Sequence, residues 1–236
     1  MLRFSLYQDG QPAEQVDLSG AYVFGQDGIP VRADLVFEAG ILSCVKHLPG
    51  ACGLAILWKA DAAGRFLLST TRLPDRGEPY NLSVELARAQ LMRLVQKRED
   101  WGLFDYEDAR ELNVELDRVC RIFVRALRAD GPVEAARIAD EALGAGLVLG
   151  ERVALFHADI FLNRRKNSRT GAARTAFGCQ VDLLSTTEAY QARLREPFDF
   201  ITVPVPWKLT EPQEREFRYS QVDGWVNWCV RARRPV

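Results

Sequence analysis

Histidine is scarce in this chain, and the motifs of several common enzyme classes are absent. The 236 residues include only two histidines, His47 and His157. The chain has no H-E-x-x-H pair for a zinc peptidase, no G-x-S-x-G for a serine hydrolase and no glycine-rich phosphate loop between a strand and a helix. His157 lies two residues from Asp159, and residues two apart on a helix point to different faces, so we interpret His157 as structural.

Cysteine is too sparse and too scattered to build a framework. The five cysteines form no C-x-x-C pair and have no histidine-rich neighbourhood that would complete a zinc site. Cys44 and Cys52 could face each other across a hairpin, but two packed, reduced thiols are the favoured interpretation. The sequence predicts no metal and no other cofactor.

Charge imbalance and long apolar runs are also missing. Thirty-one basic and 32 acidic residues give a net charge of −1, which offers no reason to expect a nucleic acid or a membrane surface as partner. No run approaches the ~20 apolar residues of a membrane span, and the amino terminus has no signal-peptide core, so we expect a cytoplasmic protein. The basic stretch 163–174 could bind phosphate or RNA, but a solvated connection is favoured.

The first third of the chain has the pattern of short β-strands. Apolar runs of strand length alternate with turn signals such as Asp9-Gly10 and Ala39-Gly40. This spacing predicts a small sandwich or jelly-roll-like module over residues 1–75. Tyr7, Tyr22 and Trp58 could stack on sugar rings there, although packing in the core is the favoured interpretation.

The middle of the chain predicts a helical segment over residues 81–163. A Pro- and Gly-containing stretch at 72–80 is interpreted as a linker, Asn81 as a helix cap and Pro132 as the first residue of another helix. The latter helix is expected to be interrupted between Gly144 and Gly150. The aromatic cluster within residues 100–106 could form a sugar platform, but a plug between two helices is favoured.

The carboxyl-terminal part predicts alternating strands and helices. Residues 177–182 and the apolar run that starts at Phe198 have the composition of strands, the latter buried on both faces as parallel strands usually are. Helices are predicted at about 187–195 and after Ser220, which is a plausible N-cap. The latter helix has Val222, Trp225, Val226 and Cys229 on one apolar face. A further strand is expected to start at Pro235.

This carboxyl-terminal part resembles the first two βα units of retaining glycosidase barrels, and is most similar to the family-ten xylanases. The resemblance covers roughly residues 176–236. It rests on Phe198-x-Phe200-x-Thr202, Trp207, Thr210-Glu211-Pro212, Phe217-x-Tyr219-Ser220, Asp223 and Pro235-Val236. The sugar-binding Glu-Asn-x-x-Lys set that the family carries on its second strand is replaced here by residues 203–206, Val-Pro-Val-Pro.

The resemblance implies an α+β protein whose third part, residues 175–236, is the start of a (β/α)8 barrel. Barrel sites lie at the carboxyl ends of the strands, so Asp182, Trp207 and Lys208 are the implied substrate-binding residues. Trp207 could equally pack beneath Glu211 and Pro212 as a plug of the barrel rim. The family's two catalytic carboxylates come from the fourth and seventh strands, so no residue here inherits a catalytic role.

The expected function is therefore that of the amino-terminal part of a xylanase-like glycoside hydrolase, inactive as 236 residues. Its expected partner is a β-linked polysaccharide or oligosaccharide. The alternatives are a non-catalytic carbohydrate-binding module and a protein-interaction module that self-associates through an open sheet edge.

Overall fold

The computed structural model describes residues 1–47, 49–60, 63–167 and 177–236. The fold is mixed α+β with a β-rich amino-terminal region. Contacts divide the chain into two compact units, Met1–Asp159 and Ile160–Val236, called unit 1 and unit 2 below. Of the basic stretch 163–174, which the sequence analysis interprets as a solvated connection, residues 168–174 lie outside the described residues.

Unit 1 contains ten short strands that form two four-stranded sheets and one small hairpin. The strands are β1 (Leu2–Ser5), β2 (Tyr7–Gln8), β3 (Gln11–Pro12), β4 (Tyr22–Phe24), β5 (Pro30–Val31), β6 (Ala33–Glu38), β7 (Ile41–Lys46), β8 (Gly53–Ala60), β9 (Gly64–Ser69) and β10 (Tyr80–Asn81). The sheet orders are β10-β1-β7-β6 and β5-β4-β8-β9, and β2 pairs with β3. Alternate residues of β1 and β7, such as Leu2, Phe4, Leu42 and Cys44, point into the core, which is the period-2 pattern of a half-buried strand.

The predicted Ala39-Gly40 turn joins β6 to β7. Both residues have positive φ, 47° and 78°, as the tight hairpin turns require. A Cβ on Gly40 would also lie 2.9 Å from the Cβ of Pro12, so glycine is required at this position by space as well as by conformation.

The segment predicted as a linker is attached to the sheets. Leu73 pairs with Cys52, and Tyr80 is buried and pairs in parallel with Phe4 of β1. The strands and the helices that follow share one hydrophobic core, to which Leu82 and Leu86 of the first helix contribute.

In the described residues, three α-helices follow the strands of unit 1: α1 (Leu82–Asp100), α2 (Arg110–Leu127) and α3 (Pro132–Asn167). The last of them, α3, continues past the end of unit 1. The predicted cap is confirmed, because the Asn81 side chain accepts a hydrogen bond from the Val84 N–H at 3.4 Å. Pro132 begins α3 as predicted.

The expected interruption of α3 between Gly144 and Gly150 is wrong, because the helix is continuous. The Gln90 Nε2 of α1 donates to the Gly146 carbonyl at 3.2 Å, and a Cβ on Gly150 would lie 3.3 Å from a methyl carbon of Leu94. Two of these glycines therefore allow close approach of α3 to α1 and do not end the helix.

The described residues of unit 2 form two parallel strands, each followed by helix. Its elements beyond the end of α3 are β11 (Gly178–Gln180), α4 (Glu188–Arg195), β12 (Phe200–Thr202), α5 (Trp207–Thr210) and α6 (Ser220–Ala232). Thr187 caps α4, while α6 begins at Ser220 itself with Tyr219 at the N-cap and no side-chain cap, so the predicted capping role of Ser220 is wrong.

One face of the β11–β12 pair is covered by helices. The buried side chains of this core are Val181, Leu183, Leu194, Ile201, Trp225, Trp228 and Cys229. Tyr190 of α4 meets Trp225 of α6 edge to face at 5.8 Å, so both helices pack on this face. Burial on both faces was predicted for β12, but Thr202 is exposed and Phe200 is half-buried, because no described element packs on their face.

None of the described helices combines the length and the apolarity that crossing a bilayer requires.

Candidate functional site

The two parallel strands of unit 2 end at the same edge of their sheet. The Val181 N–H donates to the Thr202 carbonyl at 3.0 Å, which extends the ladder to the last residues of both strands. Two loops leave this edge, residues 182–187 and residues 203–219. We call these two loops the carboxyl-end rim; they contain all three side chains that the sequence assigned to substrate binding.

Asp182 shapes its own loop. Its carboxylate accepts a hydrogen bond from the Ser185 hydroxyl at 2.7 Å and from the Leu184 N–H at 3.1 Å. These bonds lower the pKa of Asp182 below its ordinary value, the Ser185 bond contributing most. The backbone N–H of Asp182 donates to the Tyr190 hydroxyl at 3.1 Å. Because two acceptor positions of the carboxylate are used within the loop, Asp182 is better suited to stabilising the conformation of the rim than to binding a ligand.

Trp207 projects into solvent at the start of α5. Its exposed fraction is 77%, although its backbone carbonyl is fixed by a hydrogen bond from the Glu211 N–H at 2.8 Å. A tryptophan that plugged the rim beneath Glu211 and Pro212 would be buried, so the structure favours the exposed role. Lys208 follows it and is also exposed. No hydrogen bond in the described residues joins Asp182 to either side chain.

A pair of exposed aromatic rings lies on the same loop as Trp207 and was not assigned to a site from the sequence. Phe217 and Tyr219 have parallel rings, with centroids 6.1 Å apart and planes 7° apart, and exposed fractions of 60% and 45%. Residues two apart in an extended segment point to one side, and the F-x-Y spacing is therefore the signal that could have identified them.

Backbone contacts hold this aromatic pair in place. The Arg218 N–H donates to the Thr210 carbonyl at 2.8 Å, and Gln213 and Glu216 form an antiparallel bridge. The Glu211 carboxylate accepts from the Arg215 N–H at 2.9 Å, which closes the loop between α5 and the aromatic pair. The rim thus presents aromatic rings on a backbone that is held in place by these hydrogen bonds.

The aromatic residues considered in unit 1 are divided between packed and exposed side chains, with Phe104 58% and Tyr22 38% exposed. Trp58 is only 6% exposed and belongs to the core, as favoured from the sequence. Trp101 stacks on His157 with ring centroids 4.2 Å apart and planes 10° apart, which gives His157 a packing role. Tyr106 meets Phe156 edge to face at 6.4 Å.

The chemistry available at the rim is contact and hydrogen bonding. Exposed rings provide flat apolar faces, and Lys208 provides an ammonium donor. In the part of the chain that the structure describes, no three His, Cys, Asp or Glu side chains lie close enough together to hold a metal ion.

Comparison of the chain with protein-family models, with curated proteins and with solved structures finds no match.

Proposed function

We propose that unit 2 is the first part of a glycosidase-like (β/α)8 barrel and that its carboxyl-end rim binds β-linked oligosaccharide, with xylan-type chains as the first candidates. The observation that carries the proposal is Trp207, an aromatic side chain left 77% exposed at the carboxyl edge of a parallel sheet. This edge is where barrel enzymes place their sites.

The order of the strands supports the barrel. Successive residues of a strand direct their backbone groups to opposite neighbours. The Thr202 carbonyl bonds to Val181 after β11, whereas the Ile201 N–H donates to the Pro235 carbonyl at 2.9 Å. Pro235 therefore lies on the side of β12 opposite to β11, so the strands follow one another in chain order. Helices α4 and α6 pack on the same face, as consecutive right-handed crossovers in one direction require.

The side chains of the rim support a carbohydrate ligand. The faces of a pyranose ring carry C–H groups that pack on a flat aromatic ring, and Trp207, Phe217 and Tyr219 present such rings to solvent. Lys208 can donate to sugar hydroxyls. A sheet face with Thr202 exposed and Phe200 half-buried adjoins this rim, and in a barrel this face would point inward.

Glycoside cleavage by the retaining mechanism needs two carboxyl groups about 5 Å apart on either side of the bond. The resemblance assigns these groups to a fourth and a seventh strand, and the described part of unit 2 has two strands. The strand expected at Pro235 does not form, although the Pro235 carbonyl accepts a hydrogen bond from β12. The proposal therefore gives these residues a binding role, in which the 236-residue chain holds oligosaccharide and releases no reducing ends. The β-rich, sandwich-like region of unit 1 is proposed as an accessory module.

Isothermal titration with xylohexaose tests the binding role. The chain should bind, and Trp207→Ala should weaken binding about tenfold or more because it removes the stacking face. Phe161→Ala is the matched control, because Phe161 is an exposed aromatic side chain of α3 outside the rim, and it should leave the affinity unchanged. Failure of the wild-type chain to bind xylohexaose and cellohexaose would overturn the proposal.

A second candidate function is self-association through the sheet edge. Within the described residues β11 has a strand partner only on its β12 side, so its other edge offers unpaired backbone groups. Sedimentation equilibrium should then show a mass that rises with protein concentration. Phe177 and Val181 bond on the β12 side, so the N–H of Gln180 points to the open edge. Gln180→Pro removes that donor and should abolish the rise if the edge is responsible.

A further inference from the structure

Unit 1 contains an open groove that none of the proposed functions uses. Its volume is about 660 Å³, and it lies between α1, α2 and the end of β9. Most of its lining is apolar and includes Leu91, Val95 and Phe123. Met92 and Val124, both among the exposed hydrophobic residues of the chain, lie on its walls.

The groove has two cations, Arg88 at one end of its α1 lining and Arg93 near the middle. Arg93 makes no hydrogen bond or ion pair with any described residue. Neighbouring side chains partly desolvate its guanidinium and lower the pKa of Arg93 below its ordinary value, although it stays charged. Arg88 is paired with Glu85 at 3.0 Å and lies over the ring of Phe123 at 5.5 Å.

The one acidic side chain of the lining lies towards the opposite end. Glu99 is eleven residues beyond Arg88 on α1, and at 1.5 Å of rise per residue this places them about 16 Å apart along the axis. Arg93 is five residues beyond Arg88 and six before Glu99, so it lies about midway between them along the helix axis. The groove is thus an apolar channel with an anion at one end, and an anionic ligand is oriented with its charge on the Arg88 side, away from Glu99.

We propose that this groove binds a small amphipathic carboxylate, a medium-chain fatty acid or a molecule of that shape, with the carboxylate on Arg93 and the apolar chain lying along Leu91, Val95 and Phe123. A carboxylate would form a charge-assisted pair with a guanidinium that has no partner, and the groove walls would remove the chain from water. A neutral ligand would cover Arg93 without pairing it, at a desolvation cost.

The size of the groove favours a small molecule over a protein partner. A volume of 660 Å³ lies within the roughly 300–1,000 Å³ of small-molecule sites. Fourteen residues line it, whereas a stable protein interface engages about 20–30 residues on each side.

Isothermal titration of the whole 236-residue chain with dodecanoate, below the concentration at which dodecanoate forms micelles, tests the proposal. Dodecanoate should bind one per chain, and dodecyltrimethylammonium, which carries the opposite charge on the same chain, should bind at least about tenfold more weakly. Arg93→Gln should weaken dodecanoate binding about tenfold, since hydrogen bonds to charged groups carry this much. Arg110→Gln is the control, because Arg110 is an exposed arginine outside the groove, and it should change nothing.

A second pair of variants tests the apolar wall. Val124→Glu places a negative charge in the groove and should abolish dodecanoate binding, whereas Val114→Glu changes an exposed valine of the same helix outside the groove and should not. Bound dodecanoate should also slow alkylation of Cys120, which lines the groove. Equal binding of the two dodecyl compounds, or unchanged binding by Val124→Glu, would overturn the proposal. So would a concentration-dependent dimer that Val124→Glu abolishes in a chain that binds no dodecanoate, because the occupant would then be a second copy.

Discussion

Replacing Gly178 by alanine should loosen the parallel strand pair on which the carboxyl-end rim is built. Gly178 lies directly opposite Phe200 in the β11–β12 ladder. The Phe200 ring covers the glycine so closely that a Cβ there would lie 2.1 Å from a ring carbon. No real contact is that short, so the ring or the strand must move.

The expected cost follows from the kind of clash. Because Phe200 is only half-buried, the cost is that of a side chain forced off its rotamer, up to about 1.5 kcal/mol. Gly224→Ala is a matched control in the same unit, since a Cβ at Gly224 would meet no atom within 4 Å. Gly224 lies inside α6, where alanine is favoured over glycine by about 1 kcal/mol, so this variant should stabilise unit 2.

Hydrogen exchange measured by mass spectrometry can follow unit 2 separately from unit 1. Peptides that carry the amides of Val181 and Ile201 should exchange about tenfold faster or more in Gly178→Ala, and more slowly in Gly224→Ala. Unchanged exchange in Gly178→Ala would refute the cross-strand packing of Gly178 and Phe200. Slower exchange in both variants would show that the backbone preference for alanine outweighs the clash with the ring.

Three further predictions concern single side chains. Asn81→Ala removes the α1 cap and the 2.8 Å hydrogen bond from Asn81 Nδ2 to the Pro132 carbonyl, and should lower the free energy of unfolding by about 1 kcal/mol in urea titrations, whereas no change would refute the capping role. The pKa of Asp182 is lower in the folded chain than in the unfolded chain, so the stability that Asp182 contributes is complete above the unfolded pKa and is lost as pH falls through the folded pKa. Asp182→Asn should therefore flatten the plot of unfolding free energy against pH below about pH 4. A plot identical to that of the wild-type chain would contradict the Ser185 bond. Burial raises the pKa of the Cys44 thiol to about 12, so Cys44 should resist Ellman's reagent at pH 8 until the chain unfolds, and rapid labelling of native protein would contradict this burial.

Local signals in the sequence predicted several elements correctly. The Asn81 cap, the Pro132 start of α3 and the Ala39-Gly40 turn depend on residues within one turn of each other, where side chain and backbone decide the conformation together. The apolar spacing of α6 likewise predicted that Trp225 and Cys229 would face the core.

Features that depend on distant partners could not be predicted in the same way. Tyr80 pairs with Phe4 across more than seventy residues, and no local pattern separates such a strand from a proline-rich linker. The glycines at 146 and 150 of α3 have a low helix propensity that predicts a break, but packing against Gln90 and Leu94 overrides it.

The candidate site follows the same division. Position after a parallel strand predicted that Trp207 would lie at the rim, while its high exposure depends on how the loop folds. The platform of Phe217 and Tyr219 could have been proposed from their i, i+2 spacing, but only the structure shows that the two rings lie parallel and that the Arg218 N–H between them bonds to the Thr210 carbonyl.

NMR of the tryptophan indole N–H groups during a titration with xylohexaose shows most directly whether the carboxyl-end rim binds sugar. The chain has five tryptophans. We expect the chemical shift of the Trp207 indole N–H to change with xylohexaose concentration until it saturates. The signals of the buried Trp58, Trp225 and Trp228 should stay fixed. A titration in which no signal moves, or in which only Trp101 responds, would contradict sugar binding at the rim.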